Sequence, residues 1–168
     1  MAQWVIILTI MFREYHNEMG LRILFPEKIF EVVKGRIRDH YPVETGGVFI
    51  GRVIDGVTLE IEGVLVPDKI VSTRTIFKRA SSFLNKCLES LFSEKKGDQI
   101  YIGEWHSHPD ALPVPSATDK QAMKRISESE GVRISTPVLL IVGFDGSNFL
   151  DTFYIYIDNT LVSYGRKN

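Results

Sequence analysis

Apolar and polar positions along this chain alternate between short runs of period two and stripes of period three to four, which predicts strands interleaved with helices. Leu21-Arg22-Ile23-Leu24-Phe25 reads as a strand, and Pro26 follows where the first turn of a helix tolerates it. Ile29, Phe30, Val33 and Ile37 mark one face of that helix, which reaches to about His40. The stretch from Tyr41 to Gly47 breaks it and leads into a strand from Val48 to Val53. Asp55-Gly56 is a hairpin signal joining that strand to the run from Val57 to Val66, where Thr58, Glu60 and Glu62 alternate with Val57, Leu59 and Ile61 and predict a wetter side. Asp68 to Arg79 follows no period, although Thr75 to Lys78 is a further candidate strand. Ser81 or Ser82 caps a helix with Leu84, Cys87, Leu88 and Leu91 on one face. Gln99 to Trp105 is rich in β-branched and aromatic residues and reads as a strand, ended by Pro109 and the proline-spaced run to Pro115. Ser116 then caps a helix with Ala122, Met123 and Ile126 as its apolar stripe, ended by Gly131. Pro137 to Phe144 is a continuous apolar run of the kind buried on both faces. Turns at Asp145-Gly146 and Asp158-Asn159 bracket a strand from Leu150 to Ile157 and leave a last short one around Leu161. The sum is one α/β domain over residues 21–168, a mixed sheet flanked by about three helices.

Residues 1–20 read differently. The apolar run from Trp4 to Phe12 is nine residues long, far short of the roughly 20 that span a bilayer. No basic residue precedes it, and Arg13-Glu14 stands where a signal peptide would have a small-residue cleavage site. The expectation is an N-terminal extension, with the native start at Met11 or Met19, and the alternative is an added edge strand.

The chemistry concentrates in Gly103-Glu104-Trp105-His106-Ser107-His108-Pro109 and Ser116-Ala117-Thr118-Asp119. If the strand continues through His108, the two histidines face the same way with Cα atoms about 6.6 Å apart, and two imidazoles at that spacing converge on one ion. Asp119 falls at the third helical position, where its carboxylate can turn back to the same ion. Two histidines and one carboxylate leave a fourth position open, the pattern of catalytic rather than structural zinc. Taken alone, Ser-x-x-Asp is a capping box and His-x-His a surface feature. The seven-residue spacer that joins them gives the combination its weight. Ser116 is the candidate donor to a developing oxyanion, because its hydroxyl lies beside the ligand-bearing turn.

These residues resemble a known family. His106-x-His108-x7-Ser116-x-x-Asp119, with Glu44 upstream on the turn Glu44-Thr45-Gly46-Gly47, is similar to the JAMM signature of the MPN+ or JAB metalloproteases, and every signature position is present in order. The resemblance implies the MPN (JAB) fold, one zinc ion held by His106, His108 and Asp119, and isopeptidase activity. It implies further that Glu44 holds the zinc-bound water and moves its proton. Without the resemblance Glu44 reads as a solvated loop carboxylate. Members cleave bonds after the C-terminal glycine of ubiquitin or ubiquitin-like proteins, whose extended tail would add a strand beside an edge near residues 72–79. In size and in Gly-Glu-Trp-His-Ser-His-Pro the chain most resembles free-standing bacterial JAB proteins, particularly those of antiphage operons such as CBASS that also encode E1- and E2-like partners. Other JAB proteins process sulfur carriers or phage tail proteins. Non-catalytic MPN modules lack one or more ligands, and this chain lacks none.

Bulk composition narrows the classes further. A formal net charge of -1 over 168 residues gives no basic field for nucleic acid. A single cysteine, Cys87, excludes an internal disulfide framework and a thiolate zinc site, and a reducing cytoplasm is the expected location. Cys87 lies in an apolar stripe and reads as a buried, inert thiol. His16 and His40 receive no function, His40 because a helix C-terminus suits a partial positive charge. Glu104 shares a strand face with His106 and is a candidate support for it. Two histidines and a carboxylate also occur in non-haem iron oxygenases, which would leave Glu44 without a role. The Pro-Cys-x-x-Cys element of a zinc deaminase is missing.

Overall fold

A computed structural model describes residues 10–66, 99–130, 132 and 134–167. The expected strand at Thr75–Lys78, the helix carrying Cys87 and the stop at Gly131 lie outside the described residues. Among the described residues the elements are β1 (Phe12–His16), β2 (Arg22–Pro26), α1 (Glu27–His40), β3 (Gly46–Val53), β4 (Thr58–Leu65), β5 (Ile100–Pro109), α2 (Ala117–Ser127), β6 (Val138–Phe144), β7 (Phe149–Ile157), β8 (Thr160–Ser163) and β9 (Gly165–Arg166). The strands form one mixed sheet in the order β8-β7-β6-β5-β3-β4-β2-β1-β9. β2 runs parallel to β4 and β5 parallel to β6, and the other pairs are antiparallel. This is the α/β sheet the hydropathy pattern predicts.

β6 explains itself by its surroundings. All of its residues are buried, because Val138, Leu140, Val142 and Phe144 enter one apolar cluster while Leu139 and Ile141 enter a second with Met123 and Tyr156. The first cluster takes Phe30, Val33 and Ile37 from α1. At its centre Phe153 packs edge-on against Tyr15 and Phe25, with ring centroids 4.8 and 5.3 Å away. The second cluster takes Met123 from α2. The strand layer next to β6 is therefore covered on both sides, and β5 is fixed between β3 and β6.

The sheet begins earlier than residue 21. β1 alternates inward and outward, burying Arg13 and Tyr15. Arg13 donates to Asp151 Oδ1 at 3.2 Å, and the Tyr15 hydroxyl donates to Asp151 Oδ2 at 2.5 Å. The inward side of this strand is one arginine and one tyrosine, so hydropathy gives it no signal. The expected wetter side of β4 also differs at its start. Thr58 is buried and its hydroxyl donates to Asp55, while Val57 stays exposed at the hairpin. The turn at Asp158-Asn159 has both residues at positive φ, 48° and 61°, the twist a two-residue hairpin needs.

Candidate metal centre

The site forms where the end of β5, the start of α2 and the connector before β3 meet. β5 runs through Pro109, so His106 and His108 face one side of the sheet, as the spacing predicts. Their Nε2 atoms are 3.0 Å apart, and His106 Nε2 lies 3.4 Å from Asp119 Oδ1. One ligand atom from each of the three residues fits within 4.8 Å of the others. Nitrogens each about 2.0 to 2.1 Å from a tetrahedral zinc are about 3.3 Å apart, so this donor set fits such an ion with only small adjustment.

Two features hold the donors in place. His108 Nδ1 lies 3.1 Å from the Leu112 carbonyl oxygen. That carbonyl can only accept, so Nδ1 carries the proton and Nε2 presents a lone pair to the site. Asp119 divides its two oxygens. Oδ2 accepts from the Ser116 N–H at 2.6 Å while Oδ1 faces His106. In return the Asp119 N–H donates to Ser116 Oγ at 3.2 Å, which completes a capping box on α2. Ser116 accepts in this cap, so its own hydroxyl proton remains to be donated elsewhere.

Burial sets the electrostatics. It pushes the His106 imidazole down to about 4, against the pull of Asp119, so the ring is neutral and a ligand form at pH 7. Glu44 is half-buried in the connector between α1 and β3, and burial raises its carboxyl above the ordinary range. His108 opposes that rise and Asp119 adds to it, which places Glu44 within electrostatic reach of both residues. Glu104 is buried on β5 and is pushed up to about 8.

The close approach of the connector depends on two glycines. Gly46 pairs with His106 and Gly47 with Trp105. A Cβ on Gly46 would lie 2.5 Å from the Trp105 carbonyl oxygen, and one on Gly47 would lie 2.3 Å from that of Leu65. The loop between β5 and α2 is pinned as well. Asp110 N–H donates to the Phe144 carbonyl at 2.9 Å, and the Tyr154 hydroxyl donates to that of Pro113 at 2.7 Å. Sequence reasoning missed the Leu112 carbonyl, because a backbone acceptor leaves no mark on residue type.

The structure thus brings His106, His108 and Asp119 into one cluster, puts Ser116 at the helix start that carries Asp119, and sets Glu44 within their field. A mixed sheet that gathers two histidines and an aspartate at the junction of β5 and α2 has the donor set of a candidate metal-dependent enzyme domain. The chain belongs to the prokaryotic homologues of the JAB domain, whose family model matches residues 12–153. It is 32% identical over 104 residues to a protein of Enterobacter hormaechei named CD-NTase/cGAS isopeptidase, a match that covers 61% of this chain and 56% of that relative. It is 27% identical over 138 residues to the "Probable metalloprotease y4qB" of Sinorhizobium fredii, covering 79% of this chain and 82% of the other. A solution structure of a Desulfitobacterium hafniense protein shares the fold with a TM-score of 0.53 at 18% identity, covering 82% of this chain and 86% of that one. No described helix is long and apolar enough to cross a membrane.

Proposed function

We propose that this protein is a zinc-dependent isopeptidase or peptidase that hydrolyses the bond after the C-terminus of a ubiquitin-like modifier or conjugated target protein, within a bacterial antiphage defence system. The observation that carries this reading is the convergence of the His106, His108 and Asp119 donor atoms within 4.8 Å at the mouth of a connector bearing Glu44. The names of the Enterobacter and Sinorhizobium relatives support the hydrolytic and metal-dependent parts, and the Enterobacter name supports a conjugated nucleotidyltransferase as substrate.

Zinc at such a site lowers the pKa of water from about 15.7 towards about 7, which makes a nucleophile available at neutral pH. Glu44 accepts a proton and returns it to the leaving amine, a role that contributes about 10² to 10⁴ in rate. Ser116 donates its hydroxyl to the carbonyl oxygen as charge develops there. The substrate enters as an extended C-terminal tail, and E1- and E2-like proteins of the same operon are the partners that would build the conjugate. The expected location is the cytoplasm.

The test is intact-mass spectrometry of conjugates captured from host lysate, treated with zinc-loaded wild type or Glu44→Ala. Release of a fragment ending at one fixed C-terminal residue by wild type alone supports the reading and identifies the bond. If both proteins hold zinc and neither changes any mass, the isopeptidase reading fails.

A further inference from the structure

We propose that Ser107 is the positioning residue that sets Glu44 against the metal-binding histidines; this rests on the role given to Glu44 above. Ser107 lies between His106 and His108, so on a strand its side chain leaves the opposite face of the sheet. It is 1% exposed, and both of its hydrogen bonds point away from the ligand atoms. Its bonds go instead to Thr45, the residue after Glu44. The Ser107 N–H donates to the Thr45 carbonyl at 2.8 Å, and the Thr45 N–H donates to Ser107 Oγ at 2.9 Å.

The second of these bonds is the unusual one. In an antiparallel ladder the Thr45 N–H would find a backbone carbonyl across the strand pair. Here the ladder of β3 starts one residue later, at Gly46 opposite His106. The serine hydroxyl takes the donor that the ladder drops, at the point where the chain leaves the sheet. Thr45 is 2% exposed, so bulk water does not reach that amide while the tie is in place. The other end of the connector is tied to the same strand end, because the Tyr41 hydroxyl donates to Asp110 Oδ1 at 2.7 Å. Residues 42–44 thus run between two anchors on the β5 end, Ser107 and Asp110, with the Val43 N–H also donating to the His40 carbonyl at 2.7 Å.

A proton acceptor must lie within hydrogen-bond reach of its proton, and a misplacement of about 1 Å can cost about 10²-fold in rate. Ser107 supplies that registration from behind the sheet. It offers nothing to the metal or to the substrate, so its loss should change turnover and leave binding alone.

The experiment uses the full-length zinc-loaded protein as wild type, Ser107→Ala and Ser107→Thr. Bound zinc per chain, hydrogen exchange at the Thr45 amide, and kcat and KM for release from the lysate conjugates are measured on each. Ser107→Ala should keep wild-type zinc, lose protection at Thr45 and fall about 10- to 100-fold in kcat, with KM within about twofold. Ser107→Thr retains the hydroxyl and should restore both protection and kcat. If Ser107→Ala does not fold, Ser107→Cys, similar in shape and a poorer acceptor, should show the same loss. The proposal is overturned if the Thr45 amide stays protected without the hydroxyl, if kcat is unchanged, or if zinc is lost in step with kcat. Wild type that cleaves no conjugate overturns the proposed function instead, and the Thr45 exchange then decides the tie by itself.

Discussion

Replacing Glu104 by glutamine should make the protein more stable, and increasingly so as pH rises. Glu104 is 7% exposed on β5, level with Val48 on one neighbouring strand and Leu139 on the other. Burial lifts its carboxyl from an ordinary 4.5 to about 8. Between those values the folded protein keeps a proton that the unfolded chain has released, so this group makes stability fall as pH rises through that window. Each unit is worth about 1.36 kcal/mol, so at pH 7 the loss is about 3 kcal/mol, and above pH 8 about 5 kcal/mol. His106 acts in the opposite sense. Its folded value of about 4 lies below the ordinary 6.5, so it makes stability rise between those values and offsets Glu104 there. The wild-type profile alone is therefore ambiguous, and the informative quantity is the difference between variant and wild type. Glutamine keeps the shape and has no acidic proton to lose. At pH 7 a gain of about 3 kcal/mol should raise Tm by about 6 to 12 °C. Thermal and urea unfolding should be measured from pH 5 to pH 9 on chelator-treated protein, because a cation beside His106 would favour the ionised form of Glu104. A stability difference that stays flat across that range refutes the reasoning.

Other perturbations test other parts of the structure. Asp151→Ala removes the nearer of two carboxylates beside the buried Arg13 guanidinium, leaving Glu27 at 3.6 Å, and takes the acceptor from the Tyr15 hydroxyl, so it should cost about 1 to 3 kcal/mol in urea unfolding. Gly47→Ala drives a methyl to 2.3 Å from the Leu65 carbonyl and 2.8 Å from Trp105 Nε1, so it should destabilise by at least about 1 to 3 kcal/mol and disturb the near-ultraviolet signal of Trp105. Glu44 must be ionised to accept a proton, and burial raises its pKa. In chelator-treated protein the Glu44 carboxyl should therefore titrate above the ordinary 4.5 by carbon-detected NMR, and a midpoint at or below that value would refute the burial argument.

Much of this was legible in the sequence, and the limits have physical causes. His106, His108 and Asp119 could be read because strand and helix periodicities project residue spacing directly onto space. The all-buried β6 could be read because both of its faces are apolar. A strand in the first 20 residues was only the alternative to an extension, since the inward side of β1 is carried by Arg13 and Tyr15 and is stabilised by a carboxylate 136 residues or more away. The ladder between β1 and the two residues of β9 was invisible, because so short a strand has no period. Around the candidate site, the Leu112 carbonyl and the Thr45 amide are backbone groups, and their partners are set by where the chain bends. Ser107 does have a side chain to read, yet a serine between two histidines attracts no notice until Thr45 is seen against it.

The division of the Asp119 carboxylate bears on which cation the site selects. With Oδ2 committed to the Ser116 N–H, only Oδ1 faces the histidines, so the side chain can offer a single oxygen. Calcium takes six to eight oxygen ligands, often with a carboxylate gripping through both atoms, and magnesium takes an octahedron of oxygens. Neither matches two imidazole nitrogens and one half-engaged carboxylate. Small borderline-soft ions of low coordination number do. Freeing Oδ2 by unwinding the first turn of α2 would loosen that discrimination, so in a protein that holds its ion here the capping box would also act as a filter against alkaline-earth ions.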